Sequence, residues 1–133
     1  MQENFRMIAI VDDDPSVLKA LARLLATHSF ASRTFRSGSQ FLESLTEGQP
    51  DCLIADLQMP EMTGLELLRN LARKRIQIPT IIITAHDEAG MRERCQSAGA
   101  IAYLSKPVHD TSLFAAIDIA GGVAGGRSRC ISG

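Results

Sequence analysis

Met7-Ile8-Ala9-Ile10-Val11-Asp12-Asp13-Asp14-Pro15 decides the fold. Its first five residues are apolar without interruption, and the run ends at an aspartate. A short continuous apolar run of this kind suits a strand buried on both faces, the strand type of a parallel sheet. Asp14 followed by Pro15 reads as an N-cap with proline at the first helical position, where the missing N–H is no loss. Leu18, Leu21, Ala22 and Leu25 then recur at the spacing of one helix face. A buried strand running straight into an amphipathic helix is the start of a βαβ unit.

The same pattern returns along the rest of the chain. Residues 30–35 read as a weaker, more polar strand near a sheet edge, and Ser37 with Gln40 as a capping box for a short helix bearing Phe41, Leu42 and Leu45. Residues 52–55 form a third strand that ends at Asp56. Thr63 with Glu66 makes a second capping box, ahead of Leu65, Leu68 and Leu71. Residues 80–83 are the most apolar strand and end at Thr84. A helix is expected over residues 88–98, with Met91 and Cys95 its main large apolar positions and Gly99 as its C′ residue. Residues 101–104 give a fifth strand leading into Ser105-Lys106-Pro107, and a last helix starts near Asp110 with Leu113, Phe114 and Ile117. Strict strand–helix alternation predicts an α/β domain: a doubly wound five-stranded parallel sheet with helices on both faces.

Composition narrows the function. The chain has 133 residues, enough for one domain, and 45% hydrophobic residues, enough for a real core. A net charge of −1 leaves no basic footprint, so nucleic acid is not an expected partner of this stretch itself. Cys52, Cys95 and Cys130 are scattered, with no CxxC pair, and read as isolated thiols rather than a zinc or redox site. No apolar run approaches a membrane span of about 20 residues. Residues 1–6 are polar and lack the apolar core of a signal peptide, so the expected location is cytoplasmic. The domain is expected over residues 1–120. Residues 121–133 carry four glycines within their first six positions and then Arg127-Ser128-Arg129. They read as a flexible tail, a linker or appended residues.

In open α/β sheets the ligand site lies at the carboxyl ends of the strands. The polar residues at those ends are Asp12 and Asp13 after the first strand, Asp56 after the third, Thr84 after the fourth and Lys106 after the fifth. Three ionised carboxylates gathered there repel one another unless a cation joins them. Oxygen ligands, few in number, suit Mg²⁺, and their spread along the chain is unlike the single loop of an EF-hand. A carboxylate at a strand end is also a nucleophile able to form an acyl phosphate. That chemistry needs a metal on the phosphoryl oxygens, a cation such as Lys106 and a hydroxyl such as Thr84. Each feature alone is more often a capping turn, a strand end or a solvated loop residue. Their joint placement on one edge reverses that balance.

These segments resemble the receiver family of two-component signalling. Ile10-Val11-Asp12-Asp13-Asp14 is similar to the family's acidic first-strand motif, and Asp56-Leu57-Gln58-Met59-Pro60 with Met62-Thr63-Gly64 to its phosphoacceptor segment. Ile83-Thr84-Ala85 and Tyr103-Leu104-Ser105-Lys106-Pro107 resemble its hydroxyl and Lys-Pro segments. The resemblance covers residues 5–120. It implies a CheY-like, flavodoxin-like sheet in the order 2-1-3-4-5, with Asp56 as phosphoacceptor loaded by a sensor histidine kinase. Mg²⁺ would be held directly by Asp13 and Asp56, by Asp12 mostly through water, and by the backbone carbonyl of Gln58. Thr84 and Lys106 would contact the phosphoryl group, and the Lys106–Pro107 bond would be cis. Thr84 and Tyr103 match the family's switch pair, and the surface of the fourth helix, fifth strand and fifth helix would report the state, often by homodimerising. The implied role is a signalling phosphoacceptor that catalyses only its own phosphorylation and dephosphorylation. Asp14 is left to cap the first helix. His86 reads as a solvated loop residue beside the site. Leu65-Glu66-Leu67-Leu68-Arg69-Asn70-Leu71 and the first strand resemble the nitrogen-fixation regulator branch, whose receivers control transcription through a helix-turn-helix output.

Two rivals share parts of this chemistry. An Mg²⁺-dependent phosphatase with an aspartate nucleophile usually carries a second acid–base aspartate two residues on, where this chain has Gln58. A pseudo-receiver acting only as an interaction module would have no need of the intact Asp12, Asp13, Asp56, Thr84 and Lys106 set.

Overall fold

The computed structural model describes residues 7–125. Five strands alternate with five helices: β1 (Met7–Val11), α1 (Pro15–Ala26), β2 (Ala31–Phe35), α2 (Gly38–Ser44), β3 (Cys52–Asp56), α3 (Gly64–Arg73), β4 (Thr80–Thr84), α4 (Met91–Ser97), β5 (Ala100–Ser105) and α5 (Asp110–Gly125), with one 3₁₀ turn at Leu45–Glu47. All neighbouring strands pair in parallel, in the order β2-β1-β3-β4-β5. This is the expected sheet.

The side-chain alternation of the strands divides the interior into two cores. Ile8, Ile10, Cys52, Ile54, Ile81 and Ile83 face α1 and α5, where Leu18, Leu21, Leu25, Leu113 and Ile117 meet them. Ala9, Val11, Leu53, Ala55 and Ile82 face the other way, against Phe41 of α2 and Leu65, Leu67, Leu68 and Leu71 near and along α3. The central strands β3 and β4 are buried at every position, which is why they read as unbroken apolar runs. Edge strand β2 buries only Phe35 fully, in keeping with its polar sequence.

Local signals act where expected. Asp14 caps α1 by accepting from the Ser16 amide, Ser37 caps α2, and Thr63 and Glu66 close a reciprocal capping box on α3. Two boundaries differ from expectation. Helix α4 starts at Met91 rather than at residue 88, because Gly90 takes a left-handed φ of 81° and sets the helix start there. Helix α5 continues through Gly125, so residues 121–125 of the expected flexible tail are helical and the rest of that tail lies outside the described residues. Glycine weakens a helix without ending it unless its backbone turns left-handed. Cys130 also lies outside them. Cys52 and Cys95 are buried free thiols, and burial pushes the Cys52 thiol up to about 12, which leaves it unreactive. No helix among the described residues is long and apolar enough to cross a membrane.

Candidate functional site

Parallel pairing brings the ends of β1, β3, β4 and β5 to one edge, and the expected residues meet there. Carboxylate oxygens of Asp12, Asp13 and Asp56 all lie within 4.8 Å of one another. Asp12 is fully buried and both its oxygens are engaged: Oδ1 accepts from the Asp14 amide at 2.9 Å and Oδ2 from Lys106 Nζ at 2.9 Å. Asp13 is exposed at the mouth of the site. Lys106 Nζ stands 3.3 Å from Asp56 Oδ1, without the alignment of a hydrogen bond, so this buried oxygen has no hydrogen-bond partner among the described residues.

The electrostatics follow from that crowding. Burial, then the charge of Asp12, pushes the Asp56 carboxyl up to about 6 against the pull of Lys106. Burial alone would lower the pKa of Lys106, but its hydrogen bond to Asp12 and the charge of Asp56 outweigh this and raise it. Three carboxylates, one an orphaned buried acceptor, with a single lysine form an oxygen-rich pocket that fits a small hard cation.

Local structure aims these groups. Asp56 is the last residue of β3, and Gly64 at the start of α3 closes over the turn beyond it, its amide donating to the Leu57 carbonyl at 2.9 Å. A Cβ on Gly64 would come within 2.6 Å of the Asp56 carbonyl oxygen, so glycine is what lets α3 begin this close to the site. The Lys106–Pro107 bond is cis, as expected.

Thr84 lies at the end of β4 on the same edge, but its hydroxyl is already engaged. Oγ1 has two acceptors in reach, Gln58 Oε1 at 2.8 Å and the His86 carbonyl at 2.9 Å, and it accepts from the His86 amide at 3.1 Å. Gln58 Nε2 donates to the same His86 carbonyl at 3.2 Å. The His86 ring is exposed, in line with the solvated-loop reading, and its backbone touches the site. Sequence reasoning singled out the Gln58 carbonyl and missed the side chain. Its only signal was a polar amide just past the phosphoacceptor strand.

Tyr103 is buried on β5, and among the described residues its hydroxyl has no hydrogen bond of good geometry. Burial and the nearby Asp87 carboxylate push the phenol up to about 12. Arg92 of α4 lies over the ring, 4.9 Å from its centroid, and donates to the Tyr103 carbonyl at 3.3 Å. This clamp was also missed, since nothing in the spacing of a short helix points to a cation over an aromatic ring.

The family model for the response regulator receiver domain matches residues 8–118. The chain belongs to that family. It is 40% identical over 111 residues to the transcriptional regulatory protein FixJ of Rhizobium meliloti, covering 84% of this chain and 54% of FixJ. It is 37% identical over 117 residues to the response regulator protein TodT of Pseudomonas putida, covering 88% of this chain and 52% of TodT. The crystal structure of FixJ-N superposes with a TM-score of 0.81 at 39% identity, covering 90% of this chain and 94% of that one. The response regulator StyR gives 0.86 at 36% identity, covering 96% of this chain and 64% of that one. The receiver domain therefore spans about half the length of the FixJ and TodT relatives. It is a receiver domain of the two-component response regulators, and among its relatives FixJ is a transcriptional regulatory protein and TodT a response regulator protein.

Proposed function

We propose that this receiver takes a phosphoryl group from a sensor histidine kinase onto Asp56, with Mg²⁺ held by Asp12, Asp13, Asp56 and the Gln58 backbone carbonyl. One observation carries this reading: the three carboxylates converge within 4.8 Å with Lys106 Nζ between Asp12 and Asp56. The exposure of Asp13, against the two engaged oxygens of Asp12, supports Asp13 as the direct metal ligand. When bound, Mg²⁺ supplies charge neutralisation on the phosphoryl oxygens.

An Asp56 carboxylate oxygen attacks phosphorus as the donor's P–N bond breaks, and the imidazole leaves with that electron pair. Lys106 is already within reach to pair with a phosphoryl oxygen, and Thr84 supplies a hydroxyl donor. Hydrolysis of the acyl phosphate restores the carboxylate, so the only reactions catalysed are the domain's own loading and unloading. Moving Thr84 and Tyr103 toward the loaded site biases a two-state element whose face is α4, β5 and α5. That face homodimerises on loading and passes the signal, in the cytoplasm, to a transcriptional output like that of the relatives. The receiver itself contacts no nucleic acid.

Intact-mass spectrometry after incubation with acetyl phosphate tests the reading. One added phosphoryl group is expected, dependent on Mg²⁺ and lost in Asp56→Asn. A folded wild-type domain with no adduct, or an adduct retained at the wild-type level in Asp56→Asn, contradicts the assignment.

A further inference from the structure

The Thr84 hydroxyl has one proton and no spare donor capacity. Its proton is shared between Gln58 Oε1 and the His86 carbonyl, and the His86 amide occupies a lone pair. The Gln58 amide is oriented by its second bond, because the His86 carbonyl only accepts and so must meet Nε2. Gln58 thus spans from β3 to the segment after β4, fastening the hydroxyl and the backbone beside it at once.

We propose that Gln58 is a latch on Thr84. Its side-chain amide withholds the Thr84 proton from the phosphoryl group, and loading requires this clasp to open. The latch rests on the receiver reading above, since its action is on the group that meets the phosphoryl oxygen. Gln58 is a positioning residue here, acting through Thr84, and its side-chain role is separate from that of its backbone carbonyl. A hydroxyl that must first give up acceptors binds the phosphoryl group at their expense, so removing one acceptor favours the loaded state. The His86 carbonyl still holds the proton in a Gln58 variant, so the gain is limited to the worth of one hydrogen bond, roughly 2- to 10-fold in affinity.

The test is a calorimetric titration with beryllofluoride, a phosphoryl mimic that needs no bond-making to phosphorus, at saturating Mg²⁺. Gln58→Met, of similar length and without polar atoms, is compared with wild type, with Thr84→Ala and with the double variant. Gln58→Met is expected to bind the mimic roughly 2- to 10-fold tighter than wild type, and to have no effect in the Thr84→Ala background. The effect must return in a Thr84→Ser background, which keeps the hydroxyl and covers any failure of Thr84→Ala to fold. Equal or weaker binding by Gln58→Met overturns the latch, as does an equal effect with the hydroxyl absent. Binding by wild type with either of those results leaves the receiver reading standing, whereas no binding by folded wild type overturns both.

Discussion

Burial and the charge of Asp12 raise the Asp56 carboxyl from 3.8 to about 6, and this has a consequence for stability in the absence of divalent metal. A carboxyl whose folded pKa lies above its unfolded value binds its proton more tightly when folded. Folding is therefore favoured while the group is protonated, and that contribution falls as pH rises from about 4 through about 6. At neutral pH the ionised Asp56 is a net cost. Asp56→Asn is expected to raise the metal-free Tm at pH 7.5 by a few degrees, about 1 kcal/mol in a domain of this size, and to flatten the pH dependence between 4 and 6. Thermal melts in chelator across that range check it, and an equal slope in both proteins contradicts it. The convergence of Asp12, Asp13, Asp56 and Lys106 was legible in the sequence because each stands directly at a strand end, where parallel pairing leaves it one place to go. The Gln58 clasp was not, because hydrophobic period says which strand a residue follows and nothing about where a long polar side chain turns.

Helix α3 is the element on which the acidic edge most depends. Its first residue lies against the backbone of Asp56 and Leu57, and its capping box holds its first turn in place. Gly64→Ala puts a methyl group into that backbone with no side chain able to give way. The expected cost is about 1–3 kcal/mol, together with weakened phosphoryl loading, because the turn carrying the Gln58 carbonyl must shift. Chemical denaturation and mass-spectrometric loading measure the two effects, and an unchanged midpoint contradicts the close approach. Capping boxes and apolar runs made most elements readable, since each depends on neighbours in the sequence. The start of α4 and the extent of α5 were less readable. Residues 88–90 have ordinary helix-compatible neighbours, and only the left-handed turn at Gly90 moves the boundary. Gly121 and Gly122 look like a stop but only weaken a helix already propagated from α5's buried face.

At the scale of the whole molecule, two apolar cores grip the sheet while the charged edge works against it, and Mg²⁺ should settle that opposition. A ligand held only by the folded state stabilises by mass action, about 1.4 kcal/mol at ten times its Kd. Added Mg²⁺ is expected to raise Tm by several degrees at neutral pH, with the gain reversed by chelator and largely absent in Asp13→Asn; an equal gain in that variant removes Asp13 from the ligand set. The molecule also carries its own optical probe. The chain has one tyrosine and no tryptophan. That tyrosine is Tyr103, shielded from water, beneath the Arg92 guanidinium and near the Asp87 carboxylate. Excited at wavelengths too long for phenylalanine to absorb, the ultraviolet emission of the described domain therefore arises from one ring on β5. A change in its intensity or quenching reads the environment of that strand directly, so the domain's response can be followed in real time with no dye attached and no residue replaced.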